Sequence, residues 1–157
     1  MSTYAQEAKD DLPYINNYKD KIIRVSNNCN VQPSVVAGII SRETRGGRGA
    51  GLDSHGYGDN GNGYGLMQVD KRYHTLQGAW DSQTNIEQGI GILQYFLSDF
   101  DNKCPSWSRV QKLKGALAAY NKGTEKMDYN NVDGHTTWGN YSTDVLARAE
   151  FFKRNGY

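Results

Sequence analysis

The sequence predicts a mainly α domain carrying one small β element, an α+β class in which helices dominate. Three observations carry that expectation. Apolar residues recur at spacings of three and four over most of the chain, the period of an amphipathic helix. Nine of the 18 glycines fall between Gly46 and Gly65, and glycine costs about 1 kcal/mol relative to alanine in a helix, so that stretch is a long shaped loop. Only Tyr64-Gly65-Leu66-Met67-Gln68-Val69 reads as extended, one arm of a small hairpin.

The elements follow in order. Ile15, Tyr18, Ile22 and Val25 stripe a helix over 14–28. Pro33 suits a first helical position, and Val35, Val36, Ile39 and Ile40 continue a more buried helix over 33–45. Thr84-Asn85-Ile86-Glu87 matches a capping box, and Ile86, Ile90, Leu93, Leu97 and Phe100 stripe a helix of 84–101. Ser106 can cap the next helix, which carries Trp107, Val110, Leu113, Leu117 and Tyr120. Tyr141, Val145, Ala149 and Phe152 share one face of a last helix ended by Gly156, and the polar 122–140 segment reads as loop.

At 157 residues, one domain spanning 1–157 is expected. With 18 basic residues against 17 acidic ones there is no basic surplus for nucleic acid. No apolar run approaches the ~20 residues of a membrane span. The start, Met1-Ser2-Thr3-Tyr4-Ala5, lacks the basic flank and apolar stretch of a secretory signal. Two cysteines, Cys29 and Cys104, cannot build a disulfide framework and are expected as free thiols.

Glu43 is the most informative residue. It follows Val36, Ile39 and Ile40 at +7, +4 and +3, on the same helical stripe. A carboxylate on an apolar face is costly unless paired or protonated, and burial raises its pKa. One reading is a helix-end Glu paired with Arg42 or Arg45. The other is a general acid held neutral near pH 7. The glycine-rich loop leads from Glu43 to Asp59 and Asp70, and a raised acid facing ionised carboxylates is the layout for glycosidic cleavage. Asp59-Asn60-Gly61 is also ordinary turn chemistry, and Asp70 could be a cap.

Ile39-Ile40-Ser41-Arg42-Glu43, then Gly61-Asn62-Gly63-Tyr64-Gly65-Leu66-Met67-Gln68-Val69-Asp70, then Ala118-Ala119-Tyr120-Asn121 together resemble goose-type lysozyme. The resemblance runs on through Val145 to Ala149 and Asn155-Gly156-Tyr157. It implies a lysozyme-like fold, a helical bundle with a small antiparallel sheet beside a long substrate cleft. It also implies hydrolysis of the β-1,4 bond between N-acetylmuramic acid and N-acetylglucosamine in peptidoglycan, with chitooligosaccharides as further ligands. The family's acid maps onto Glu43 and its assisting aspartates onto Asp59 and Asp70. Its sugar-binding positions map onto Gln68, His74, Phe96, Tyr120, Asn121 and Tyr141; Tyr120 and Tyr141 equally suit core packing. No cofactor or metal, no nucleic-acid or membrane partner, and a monomer are expected. The resemblance implies secretion, while the chain's start leaves a cytoplasmic location open. Two rivals share the motifs or the cleft: a lytic transglycosylase, and a non-catalytic peptidoglycan-binding protein.

The chain departs from the avian pattern in a longer loop between Glu43 and Asp59 and in lacking most of a disulfide-bonded N-terminal extension. Other signals do not hold. Gly56-x-Gly58-x-x-Gly61 fits the dinucleotide fingerprint but lacks a strand before it and a helix after it. The Asp59–Gly63 run lacks calcium-loop ligands, and His55, His74 and His135 lack zinc spacing.

Overall fold

The computed structural model describes residues 2–157; Met1, part of the start read above, lies outside them. Six helices, α1 (Thr3–Ile15), α2 (Lys19–Asn28), α3 (Pro33–Thr44), α4 (Gln83–Lys103), α5 (Arg109–Lys122) and α6 (Tyr141–Arg154), are accompanied by a three-stranded sheet. Its strands, β1 (Tyr57–Gly58), β2 (Gly63–Tyr64) and β3 (Val69–Asp70), are antiparallel in the order β1-β2-β3.

α3 is the centre of the bundle. Val35 to Ser41 are all buried, and α6, α1 and α2 pack around it. Gly38 is what lets α6 in: a Cβ there would lie 2.8 Å from the carbonyl oxygen of Val145. α4 and α5 pack together on the other side, and Phe100, Leu117, Tyr141, Val145 and Phe152 complete one continuous core.

The structure corrects the sequence reading at five places. The helix expected over 14–28 is the end of α1, a 3-10 turn over Asn16–Tyr18, and α2. Pro13 cannot donate to Lys9, and the backbone leaves helical geometry at Tyr18 (φ −111°, ψ 7°). The whole of α1 upstream of 14 was unforeseen; Ser2 caps it by accepting from the Ala5 N–H at 3.1 Å. α4 is capped by Ser82, which accepts from the Asn85 N–H, not by a box starting at Thr84. α5 is capped by Ser108, with Gln111 returning the bond, not by Ser106; Trp107 therefore precedes the helix and Val110 faces solvent. The extended 64–69 segment divides, Tyr64 ending β2 and Val69 starting β3 with a turn between. Cys29 and Cys104 are both free thiols.

Candidate active site

Glu43 sits in the last turn of α3, and the chain turns away directly behind it. Arg45 takes the left-handed conformation (φ 53°), and Gly46 and Gly47 continue at φ 75° and 90°. The Thr44 hydroxyl then donates to the Leu66 carbonyl at 2.9 Å, tying the helix end to the β2–β3 turn. Glu43 thus closes a core helix and opens on a cleft of about 980 Å³. The sheet, α4, α5 and the start of the 122–140 loop supply the other walls.

Neither neighbouring arginine pairs with Glu43. Arg42 goes to Asp144 at 2.7 Å and Arg45 to Asp11 at 2.7 Å. Both acids are buried in an ionic network that also holds Ser41, Arg48, Arg148 and Glu7. The partner of Glu43 is instead Tyr141, whose hydroxyl donates to Oε2 at 2.9 Å. Burial of the carboxyl pushes its pKa from 4.5 up to about 7, and the negative charge of Asp59 adds to the rise. The Tyr141 hydrogen bond and the Arg42 charge oppose it without cancelling it. A carboxylic acid titrating there is protonated for part of the population at neutral pH, as a proton donor requires.

Tyr141 is 1% exposed and does not line the cleft. The resemblance implies a sugar-binding place for Tyr141; the contact its hydroxyl makes here is to the acid. Its position is set from outside its own helix. Asp133, from the 122–140 loop, accepts from the backbone N–H groups of Ser142 and Thr143 at 2.8 and 3.2 Å, serving the α6 N-terminus that Asn140 leaves uncapped. The Arg42 guanidinium lies 5.0 Å from the Tyr141 ring centre. Burial and the Glu43 charge both hold the Tyr141 hydroxyl well above its ordinary pKa, so it remains a donor.

The two aspartates stand at one end of the sheet. Gly58, Gly63 and Asp70 form one row across the strands, and Asp59 follows Gly58. Asp59 and Asn60 both have positive φ (51° and 55°), the conformation that turns the chain into β2. Asp59 is exposed on the cleft, and among the described residues no hydrogen bond engages its carboxylate. Asp70 is held differently. Arg72 grips it as a fork, Nε to Oδ1 at 3.1 Å and a terminal nitrogen to Oδ2 at 2.8 Å, and its backbone N–H adds a third bond. This keeps the Asp70 carboxyl below its ordinary pKa. Arg72 also lines the cleft, and sequence reading passed over it; its place two residues after Asp70 was the available signal.

The other expected sugar ligands Gln68, His74, Phe96, Tyr120 and Asn121 all line the cleft. Gln68 lies flat on the sheet: a Cβ at Gly63 would fall 2.3 Å from its Oε1, and one at Gly58 2.5 Å. Those glycines are there because the amide needs the space. Tyr120 donates its hydroxyl to the Met67 carbonyl at 2.6 Å, and Asn121 Oδ1 accepts from the Thr137 N–H at 2.9 Å. Among the described residues no cluster of His, Cys, Asp and Glu could hold a metal ion.

Comparison with known proteins gives the family. The profile of the family described as "Lysozyme g" matches residues 2–156. It begins ahead of α1 and so takes in that whole helix. "Lysozyme g" of Gallus gallus is 45% identical over 96% of this chain and 70% of its own length. "Lysozyme g" of Cyprinus carpio is 43% identical over 96% of this chain and 80% of its own length. "Lysozyme g-like protein 2" of Mus musculus is 37% identical over 96% of this chain and 67% of its own length. A match of nearly the whole chain, on a mainly helical fold with a three-stranded antiparallel sheet, shows that the protein belongs to the Lysozyme g family of glycoside hydrolases.

Proposed function

We propose that the chain hydrolyses the β-1,4 bond between N-acetylmuramic acid and N-acetylglucosamine in peptidoglycan, with inversion at the anomeric carbon. The observation that carries this reading is the Glu43 carboxyl at the cleft wall, held by the Tyr141 hydroxyl at 2.9 Å and pushed by burial up to about 7. Glu43 protonates the leaving oxygen. Water attacks the opposite face, held by carboxylates rather than replaced by one, so no glycosyl–enzyme bond forms.

The two aspartates divide that work. Asp59, open to the cleft and free of hydrogen bonds among the described residues, accepts the water proton. Asp70, already committed to Arg72, supplies fixed negative charge and orients the water. Gln68, His74, Phe96, Tyr120 and Asn121 bind the sugars; aromatic rings suit the apolar faces of pyranoses. Tyr141 acts through Glu43 as a positioning residue. The enzyme works as a monomer outside the cell; no described helix is long and apolar enough to cross a membrane.

Product analysis from purified peptidoglycan tests the reading. Hydrolysis leaves reducing muramic-acid ends, initially in the α configuration. An initial β product removes the water-activation role of the aspartates. Products ending in 1,6-anhydromuramic acid mean that the muramyl 6-hydroxyl attacks, as in a lytic transglycosylase. No products, with oligosaccharide binding intact, means a sugar-binding protein.

A further inference from the structure

One residue combines two unfavourable features. Trp138 is 87% exposed, and it has φ 64°, in the left-handed region that a bulky side chain rarely adopts. Lone exposed apolar residues are common and need no explanation, but this one is held in place. The Thr137 N–H donates to Asn121 at 2.9 Å, and Arg42 donates to the Thr137 carbonyl at 2.9 Å. The Gly139 N–H donates to the Thr136 carbonyl at 2.9 Å, and Arg42 also reaches Asn140 at 3.2 Å. The neighbours over-determine a conformation that costs energy and leaves the indole in water, a pattern that clusters at functional sites.

Its location gives the pattern a meaning. Thr137 lines the catalytic cleft, whereas Gly139 lines a second cavity of about 330 Å³. Trp138 lies between these two residues in the chain, its indole in solvent and in the lining of neither hollow. The second cavity offers sugar-binding chemistry: two partly exposed rings, Trp107 and Tyr129, beside the polar side chains of Asn130, Asn131 and Lys114. The rings are rigid, because Trp107 stacks on the buried Phe100 at 5.6 Å and Tyr129 lies 6.1 Å from Trp107. The side-chain amides of Asn130 and Asn131 make no hydrogen bond among the described residues, so they are free to meet hydroxyl and acetamido groups. The volume lies at the small end of ligand sites, room for a sugar unit rather than a chain.

We propose that Trp138 and the Trp107–Tyr129 cavity form a distal subsite that binds an N-acetylated pyranose of the same glycan, beyond the units held in the cleft. This rests on the glycan-cleaving function proposed above. The solvent-exposed indole stacks on the strand as it passes from one hollow to the other. Long oligosaccharides gain the contact and short ones do not.

The test uses the Glu43→Gln protein, which binds without turnover, titrated calorimetrically with chitotriose and chitohexaose. Trp138→Ala is the clean variant, since alanine meets the same backbone cost at positive φ and only the indole is lost. It is expected to weaken chitohexaose binding about 3- to 10-fold and leave chitotriose unchanged. Chitohexaose, but not chitotriose, should shift the Trp107 indole N–H resonance. Trp138→Gly should show the same loss while raising the melting temperature, because glycine relieves the strain. Equal hexamer affinity in parent and Trp138→Ala overturns the inference and leaves the proposed function standing. So does an unmoved Trp107 signal at saturation. No binding of either oligosaccharide by the parent overturns the function and the subsite together.

Discussion

The helical and sheet walls of the cleft treat the same functional group in opposite ways. On the helical wall, Glu43 ends a buried helix, receives one hydrogen bond from a tyrosine, and is pushed up to about 7. On the sheet wall, Asp70 lies on an open strand, is gripped by an arginine fork, and is held below its ordinary pKa. The difference comes from where each neighbouring guanidinium goes. Arg42, adjacent to Glu43, is drawn into the buried network by Asp144, so among the described residues Glu43 has no ion-pair partner. Arg72, which makes no other ion pair among the described residues, folds back on Asp70. Two carboxyls pushed apart in this way form an acid and an anion at one pH.

Removing the acid should give the largest effect. Glu43→Gln should lower peptidoglycan lysis by at least ~100-fold in a turbidity assay. The same substitution should stabilise the fold at high pH. The folded pKa lies above the unfolded one, so the native state holds a proton that the unfolded state has released between about 4.5 and 7. The cost of burying Glu43 is therefore absent below 4.5, grows through that window and is full above 7. Urea melts should show Glu43→Gln gaining at most about 3 kcal/mol at pH 8 and nothing at pH 4. A gain independent of pH would mean that Glu43 is not raised.

The aspartates come next. Asp59→Asn should cost more activity than Asp70→Asn, because Asp59 is the free carboxylate. The double variant should lose more than the product of the single losses if both act on one water. If Asp59 only shapes its turn, its Asn variant will be nearly fully active, since asparagine tolerates positive φ as well.

Tyr141→Phe should act more gently. It removes a hydrogen bond to the charged form of Glu43, so the alkaline limb of kcat/KM should move up by about one unit. A merely structural tyrosine would change stability and leave that limb in place. The smallest effect expected is that of Arg72→Gln, which frees Asp70 to titrate closer to an ordinary aspartate and should raise the acid limb slightly.

The two walls were not equally legible in the sequence. α3 and Glu43 could be read because a buried helix writes its face as a 3.6-residue stripe, and a carboxylate on that stripe stands out. α6 was legible for the same reason. The sheet wall left a weaker trace: its strands are two residues long, too short for alternation to register, so the stretch 64–69 read as one strand. α1 was hidden because its buried face includes Asp11, whose partners Arg45, Arg48 and Arg148 come from distant parts of the chain. The capping serines were misplaced by two residues each time, as several serines and threonines near each start could serve. The resemblance brought out Tyr141 but not its hydrogen bond to Glu43, since no local pattern reports which hydroxyl faces which acid.

The contrast between the walls can be measured directly by 13C NMR of the side-chain carboxyls across pH, with Glu43→Gln and Asp70→Asn to assign the signals. The expected result is a Glu43 midpoint of about 7 and an Asp70 midpoint below the ordinary aspartate range. A Glu43 midpoint near 4.5 would contradict it, because the acid would then be ionised at the pH where it must donate its proton.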